Sequence, residues 1–136
     1  MKLSEEAKMP FQAKSSDAGN NLYSVDGYIL KPWERRLFQT NIAAEIPDGF
    51  YGRIAPRSGM ALNHGIHTLG WVVDSWYRWD IGVVLINLWQ DQYEVLPWDK
   101  IAQYVITPCV YSIERIEVEE LWDSERDNSS RWSTWR

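Results

Sequence analysis

Turn signals recur along this chain about every eight to twelve residues, a spacing characteristic of β-sandwiches and barrels. Lys31-Pro32, Pro47-Asp48-Gly49 and Leu96-Pro97 are the clearest breaks. Each joins residues that preset φ or tolerate a tight bend. The apolar stretches between them are too short for long helices. Candidate strands cover 28–30, 35–40, 51–55, 72–74, 81–88, 93–95 and 100–106. Two short segments, 57–64 and 113–121, are candidate helices. In the second, Ile113, Ile116 and Leu121 settle on neither the strand nor the helix period, and the reading leans to strand.

With 136 residues, 45% of them hydrophobic, the chain has material for one core and not for two. The opening MKLSEEAKMPFQAKSSDAGN has no apolar run, so no signal peptide is expected. No stretch reaches the roughly 18 to 20 apolar residues that span a bilayer. A single cysteine, Cys109, excludes an internal disulfide and a cysteine zinc cluster. The expected location is cytoplasmic, with no membrane partner. A net charge of −5 disfavours nucleic acid, which is bound through basic surfaces. A small phosphorylated ligand stays open, because a few donors and a bridging metal suffice to hold it. From Trp122 onward the chain has no Val, Ile or Leu. The expected division is a body over 1–121 and an arm over 122–136, either frayed or ordered by a ligand or neighbouring subunit.

Several short segments fall in a telling order. They are DAGNNLYS from Asp17, YGRIAPRSG from Tyr51, HTLGWVVDSWYRWDIGVVLINL from His67, DKIAQ from Asp99 and RDNSSRWSTWR from Arg126. Together they resemble the five motifs of the trimeric dUTPase family, in order and in register, from about residue 10 to the C-terminus. The resemblance implies an all-β, jelly-roll-like β-barrel. It also implies a homotrimer whose C-terminal arm reaches a neighbouring active site, and hydrolysis of dUTP to dUMP and pyrophosphate with Mg2+.

Cleaving a nucleoside triphosphate between its α and β phosphates needs a positioned water, an orienting base, charge neutralisation and a pocket for the nucleobase. On the resemblance, Asp74 polarises the water or holds the sugar 3′-hydroxyl. Tyr77 lies under the deoxyribose and excludes a 2′-hydroxyl. Arg57, Ser58 and Gly59 meet phosphate oxygens, Gln103 ties the phosphate-side loops together, and Val72 and Val73 line the base-side hairpin. Arg126, Ser133 and Thr134 close over the phosphates. Mg2+ rides on the triphosphate through water and needs no direct protein ligand. Without the resemblance, Asp74 reads as a turn carboxylate, Tyr77 as a packing residue and Arg57-Ser58-Gly59 as a helix start. His64 and His67 lack a third ligand and read as loop or surface histidines.

The chain departs from the motifs it resembles. Asn21 stands where the first usually has Asp, Asp127 where the fifth has Gly, and Arg131 where the fifth has a Phe stacked on uracil. A guanidinium plane can also stack on a base, so Arg131 keeps a substrate-binding role. Nine tryptophans outnumber eight glycines and three phenylalanines, an inversion of ordinary usage. All nine fall where the resembled family often or usually has glycine: Trp33, Trp71, Trp76, Trp79, Trp89, Trp98, Trp122, Trp132 and Trp135. Glycine and tryptophan are not physical substitutes, since one serves positive φ and close approach and the other is the bulkiest side chain. UGA, glycine under one genetic code and tryptophan under another, accounts for such an exchange; a chain truly rich in tryptophan is the alternative. As written, the chain is expected to be inactive or poorly folded.

Two rival readings compete. A dCTP deaminase needs a proton-shuttling carboxylate where this chain has Val84. A catalytically impaired nucleotide-binding or regulatory module is compatible with the altered fifth motif. The joint presence of Asp74, Tyr77, Arg57, Ser58, Ser133 and Thr134 favours the enzyme.

Overall fold

A computed structural model describes residues 1–111 and 113–120. Its strands in chain order are β1 (Asn20–Tyr23), β2 (Tyr28–Leu30), β3 (Arg35–Phe38), β4 (Phe50–Ala55), β5 (Ile66–Leu69), β6 (Val72–Val73), β7 (Val83–Asn87), β8 (Tyr93–Val95) and β9 (Lys100–Pro108). One short helix, α1 (Ser58–His64), lies between β4 and β5. Among the described residues no helix is long and apolar enough to cross a membrane.

The pairings are nested. β1 pairs with β9, β2 with β8, β3 with β7 and β4 with β6, all antiparallel. The chain is thus one long hairpin whose arms run side by side, turning back near β5. Two further pairings, β4 with β9 and β5 with β7, roll this ribbon up. The result is the jelly-roll-like, all-β architecture the sequence leads one to expect.

Side chains alternate in and out along the ribbon, as a sheet with one buried face requires. Val83 and Leu85 of β7 and Ile54 of β4 point inward. They meet Leu22, Leu30, Phe38, Ile66, Val95 and Ile101 in a single core. Gly52 is part of this packing, because a Cβ there would lie 2.3 Å from the Tyr104 hydroxyl.

Most expected strands appear with their ends shifted by a residue or two. β1 and β5 were not anticipated. Asn20 and Asn21 read as turn residues and are drawn into a strand by β9, while β5 is a short polar-apolar stretch between Gly65 and Gly70. The helix expected over 57–64 is present as α1, with Arg57 as its extended N-cap. The strand leaning for 113–121 is corrected. Residues 113–120 hold no strand and are exposed, pairing with none of the described strands and leaving their backbone groups to solvent. The expected arm lies outside the described residues.

Candidate active site

β6 pairs with β4 through Gly52↔Val73 and Arg53↔Val72. The chain then turns at once, with the Tyr77 N–H donating to the Asp74 carbonyl at 3.1 Å. This places Val73 inward, Val72 and Asp74 outward, and Tyr77 half-buried. The Tyr77 hydroxyl donates to the Asp80 carbonyl at 2.8 Å, which fixes the ring against the hairpin. Asp80 is itself anchored, its Oδ1 accepting from Thr40 Oγ1 and the Ile42 N–H. Val72, Val73, Tyr77 and Asp80 border a cavity of about 160 Å³, closed at one side by Ile54 and Gly82.

A second, larger recess of about 510 Å³ forms where three strands meet. β9 lies between β1 and β4, with Gln103 opposite both Asn21 and Ala55. That register gathers Asn21, Gln103 and the Pro56-Arg57-Ser58 segment although they are far apart in sequence. Gln103 Nε2 donates to the Pro56 carbonyl at 3.2 Å, tying β9 to the segment before α1. Gly19 makes room for it, since a Cβ there would sit 2.9 Å from the Gln103 amide oxygen. Arg57 Nη1 donates to the Lys100 carbonyl at 3.0 Å, which aims the guanidinium along the recess. No side chain caps the first turn of α1, leaving its backbone donors free where Ser58 and Gly59 line the wall.

His64 and Tyr93 border the same recess, their rings 5.0 Å apart. His64 read as a surface residue in the sequence. It is exposed in the structure as well, and no local signal marked it as part of this wall. Burial, with Asp99 acting in the same direction, pushes the Tyr93 hydroxyl pKa up against the opposing pull of Arg57. Tyr93 therefore stays neutral and can serve as a hydrogen-bond donor.

The structure thus brings the expected residues together in two groups. Val72, Val73 and Tyr77 share the hairpin cavity, and Arg57, Ser58, Gly59 and Gln103 share the recess. The two spaces have no lining residue in common, and Asp74 lines neither. Arg126, Arg131, Ser133 and Thr134 lie outside the described residues. Among the described residues no group of three His, Cys, Asp or Glu side chains could hold a metal ion. What the recess offers is oxygen and nitrogen: Asp17, Asn21 and Gln103 as acceptors, Arg57 and Lys100 as cations.

The family model described as dUTPase matches residues 5–135. The fowlpox virus deoxyuridine 5′-triphosphate nucleotidohydrolase is 42% identical over 135 residues, covering 98% of this chain and 93% of the viral one. Among solved structures, the Staphylococcus bacteriophage 80alpha dUTPase with dUPNHPP is 25% identical. It superposes with a TM-score of 0.86, covering 96% of this chain and 93% of that one. A mutant dUTPase from phage phi11 of S. aureus, described as revealing the coordination of a structural Mg(II) ion, is 26% identical. Its TM-score is 0.80, with 88% of this chain and 94% of that one covered.

Proposed function

The chain belongs to the dUTPase family, and from that premise we propose that it hydrolyses dUTP to dUMP and pyrophosphate at sites assembled between copies of itself. One observation carries the reading. The base-side residues and the phosphate-side residues occupy two recesses of one chain that share no wall. This division supports a site whose hairpin comes from one subunit and whose phosphate groove comes from another.

In this arrangement the hairpin cavity receives the nucleoside. Tyr77, its ring fixed by the Asp80 carbonyl, lies flat under the deoxyribose and leaves no space for a 2′-hydroxyl. Asp74 stands exposed at the turn, where it reaches the 3′-hydroxyl or the attacking water. Held in place, that water meets the phosphate without the entropy cost of a free encounter. Arg57 binds phosphate oxygens through two parallel donors, helped by Ser58 and the backbone at Gly59. Gln103 keeps this wall fixed relative to β9. Arg126, Ser133 and Thr134 of the arm close over the phosphates and exclude water, and Arg131 stacks on the base.

The donor set fits Mg2+ carried on the triphosphate. The recess presents hard oxygen acceptors, Asp17, Asn21 and Gln103, and no thiol, which suits an ion that keeps its waters. Bound there, Mg2+ would supply positive charge against the phosphates, while Asp17, Asn21 and Gln103 hold its waters.

The active form is a homotrimer in the cytoplasm. Val110, Ile113 and Ile116 stand exposed on the single chain, apolar surface that a second copy would cover. Residues 122–136 form the arm.

The test is pyrophosphate release from dUTP, with dCTP and UTP as controls, on this chain and on one with all nine tryptophans changed to glycine. Mixing Tyr77→Ala chains with Arg57→Ala chains, each inactive alone, should restore turnover, because some mixed sites then receive two intact halves. No recovery in mixed oligomers refutes the shared site. Absence of dUTP turnover in both unmutated chains moves the impaired binding module to the front.

A further inference from the structure

Every tryptophan that the structure describes lies on the surface. Trp33, Trp71, Trp76, Trp79, Trp89 and Trp98 are between 43% and 69% exposed, and none belongs to the core. Tryptophan is ordinarily among the more buried residues on average, so six described tryptophans of which none joins the core need another account.

Two of the six hold a backbone conformation that suits glycine. Lys31-Pro32-Trp33-Glu34 and Leu96-Pro97-Trp98-Asp99 are the same turn built twice. In each, the N–H of the fourth residue donates to the carbonyl of the first at 3.1 Å. The carboxylate of the fourth residue accepts the N–H of the first at 2.8 Å. Proline occupies the second position, and the third has φ of 64° at Trp33 and 67° at Trp98. Proline second with a left-handed third residue is the type II pattern, whose third position takes glycine or asparagine. Among the described residues one other non-glycine has positive φ, Asn41, a type that tolerates it. A bulky aromatic in that region is an outlier. Two independent turns share the same outlier.

The hairpin adds a steric observation. Trp76 and Trp79 stack edge-on around Tyr77, at 6.4 and 5.4 Å between ring centres. Indoles there crowd the ring that the proposed nucleoside must lie on. Glycine at both positions leaves Tyr77 accessible.

We propose that the working protein carries glycine at all nine tryptophan positions, each encoded by UGA and read as glycine where the gene is expressed. The two type II turns then have the residue their geometry calls for.

The gene and its natural product test this directly. UGA at all nine positions, with glycine in the peptides of the protein isolated from its own cells, supports the proposal. UGG at these positions, or UGA with tryptophan in the natural peptides, overturns it. A folding measurement probes the geometry separately: the Trp33→Gly, Trp98→Gly double variant should melt at a higher temperature than the chain as written. An unchanged or lower melting temperature removes the argument from the turns. None of these readouts involves dUTP. If they come out as expected while the nine-glycine chain fails to hydrolyse dUTP, the functional reading alone falls.

Discussion

The Tyr77 hydroxyl donates to the main-chain carbonyl of Asp80 at 2.8 Å. The aromatic ring is thereby tethered to the far end of the turn that carries Asp74. Tyr77→Phe keeps the ring and removes the tether, at a cost of about 1 kcal/mol in stability. Its larger effect is on selectivity, because an untethered ring can tilt and admit a 2′-hydroxyl. The preference for dUTP over UTP, measured as a ratio of kcat/KM values, should fall.

Asp74 is exposed and contributes its carbonyl, not its carboxylate, to the turn. Asp74→Asn should therefore leave the melting temperature nearly unchanged. Loss of a positioned acid–base group lowers kcat by about 10²- to 10⁴-fold, while KM for dUTP moves far less. A comparable drop in stability and kcat would instead assign the residue to the fold.

Arg57→Lys preserves charge and loses shape. The guanidinium spends one donor on the Lys100 carbonyl and still has others to present to phosphate as a fork, which an ammonium cannot do. Loss of a charge-assisted hydrogen bond of about 1.5–3 kcal/mol corresponds to roughly a ten- to hundredfold fall in kcat/KM. Steady-state kinetics on dUTP and product inhibition by pyrophosphate check this.

Tyr104 predicts a pH dependence in the alkaline range. Its hydroxyl is buried without a hydrogen-bond partner, and burial pushes its pKa from 10.0 up to about 12. The folded chain therefore holds this proton more tightly than the unfolded one. The linked stability is fully present below pH 10.0 and is lost as pH rises toward about 12. Urea unfolding at several alkaline pH values should show this decline. Tyr104→Phe should flatten it and be neutral or stabilising at pH 7, since it removes an unsatisfied buried group. Gly52→Ala should cost about 1–3 kcal/mol by forcing a methyl group into the Tyr104 ring.

What was legible in the sequence was legible for local reasons. The Pro-containing turns at Pro32 and Pro97 mark strand ends because proline fixes its own φ and has no N–H to give. β7 reads as a strand because Val83, Leu85 and Asn87 alternate with outward residues. β1 was not legible, because Asn20 and Asn21 have turn preferences that only pairing with Tyr104 and Gln103 overrides. The site divides in the same way. Arg57, Ser58 and Gln103 stood out as motif residues, whereas the neighbourhood of His64 and Tyr93 is created by tertiary packing that no local pattern encodes. The separation of the hairpin from the recess is likewise a property of the rolled ribbon, invisible in the order of the motifs.

The nested order of strand pairs has a consequence for how this chain comes into being. β1 pairs along its length with β9, and β4 depends on the same strand over all of its residues. During synthesis the first half of the ribbon therefore waits with open edges until β9 leaves the ribosome. Contacts between such distant segments make assembly slow, and the waiting edges are the ones most exposed to the wrong neighbour. Synthesis of β9 and closure of the ribbon are, for this topology, nearly the same event.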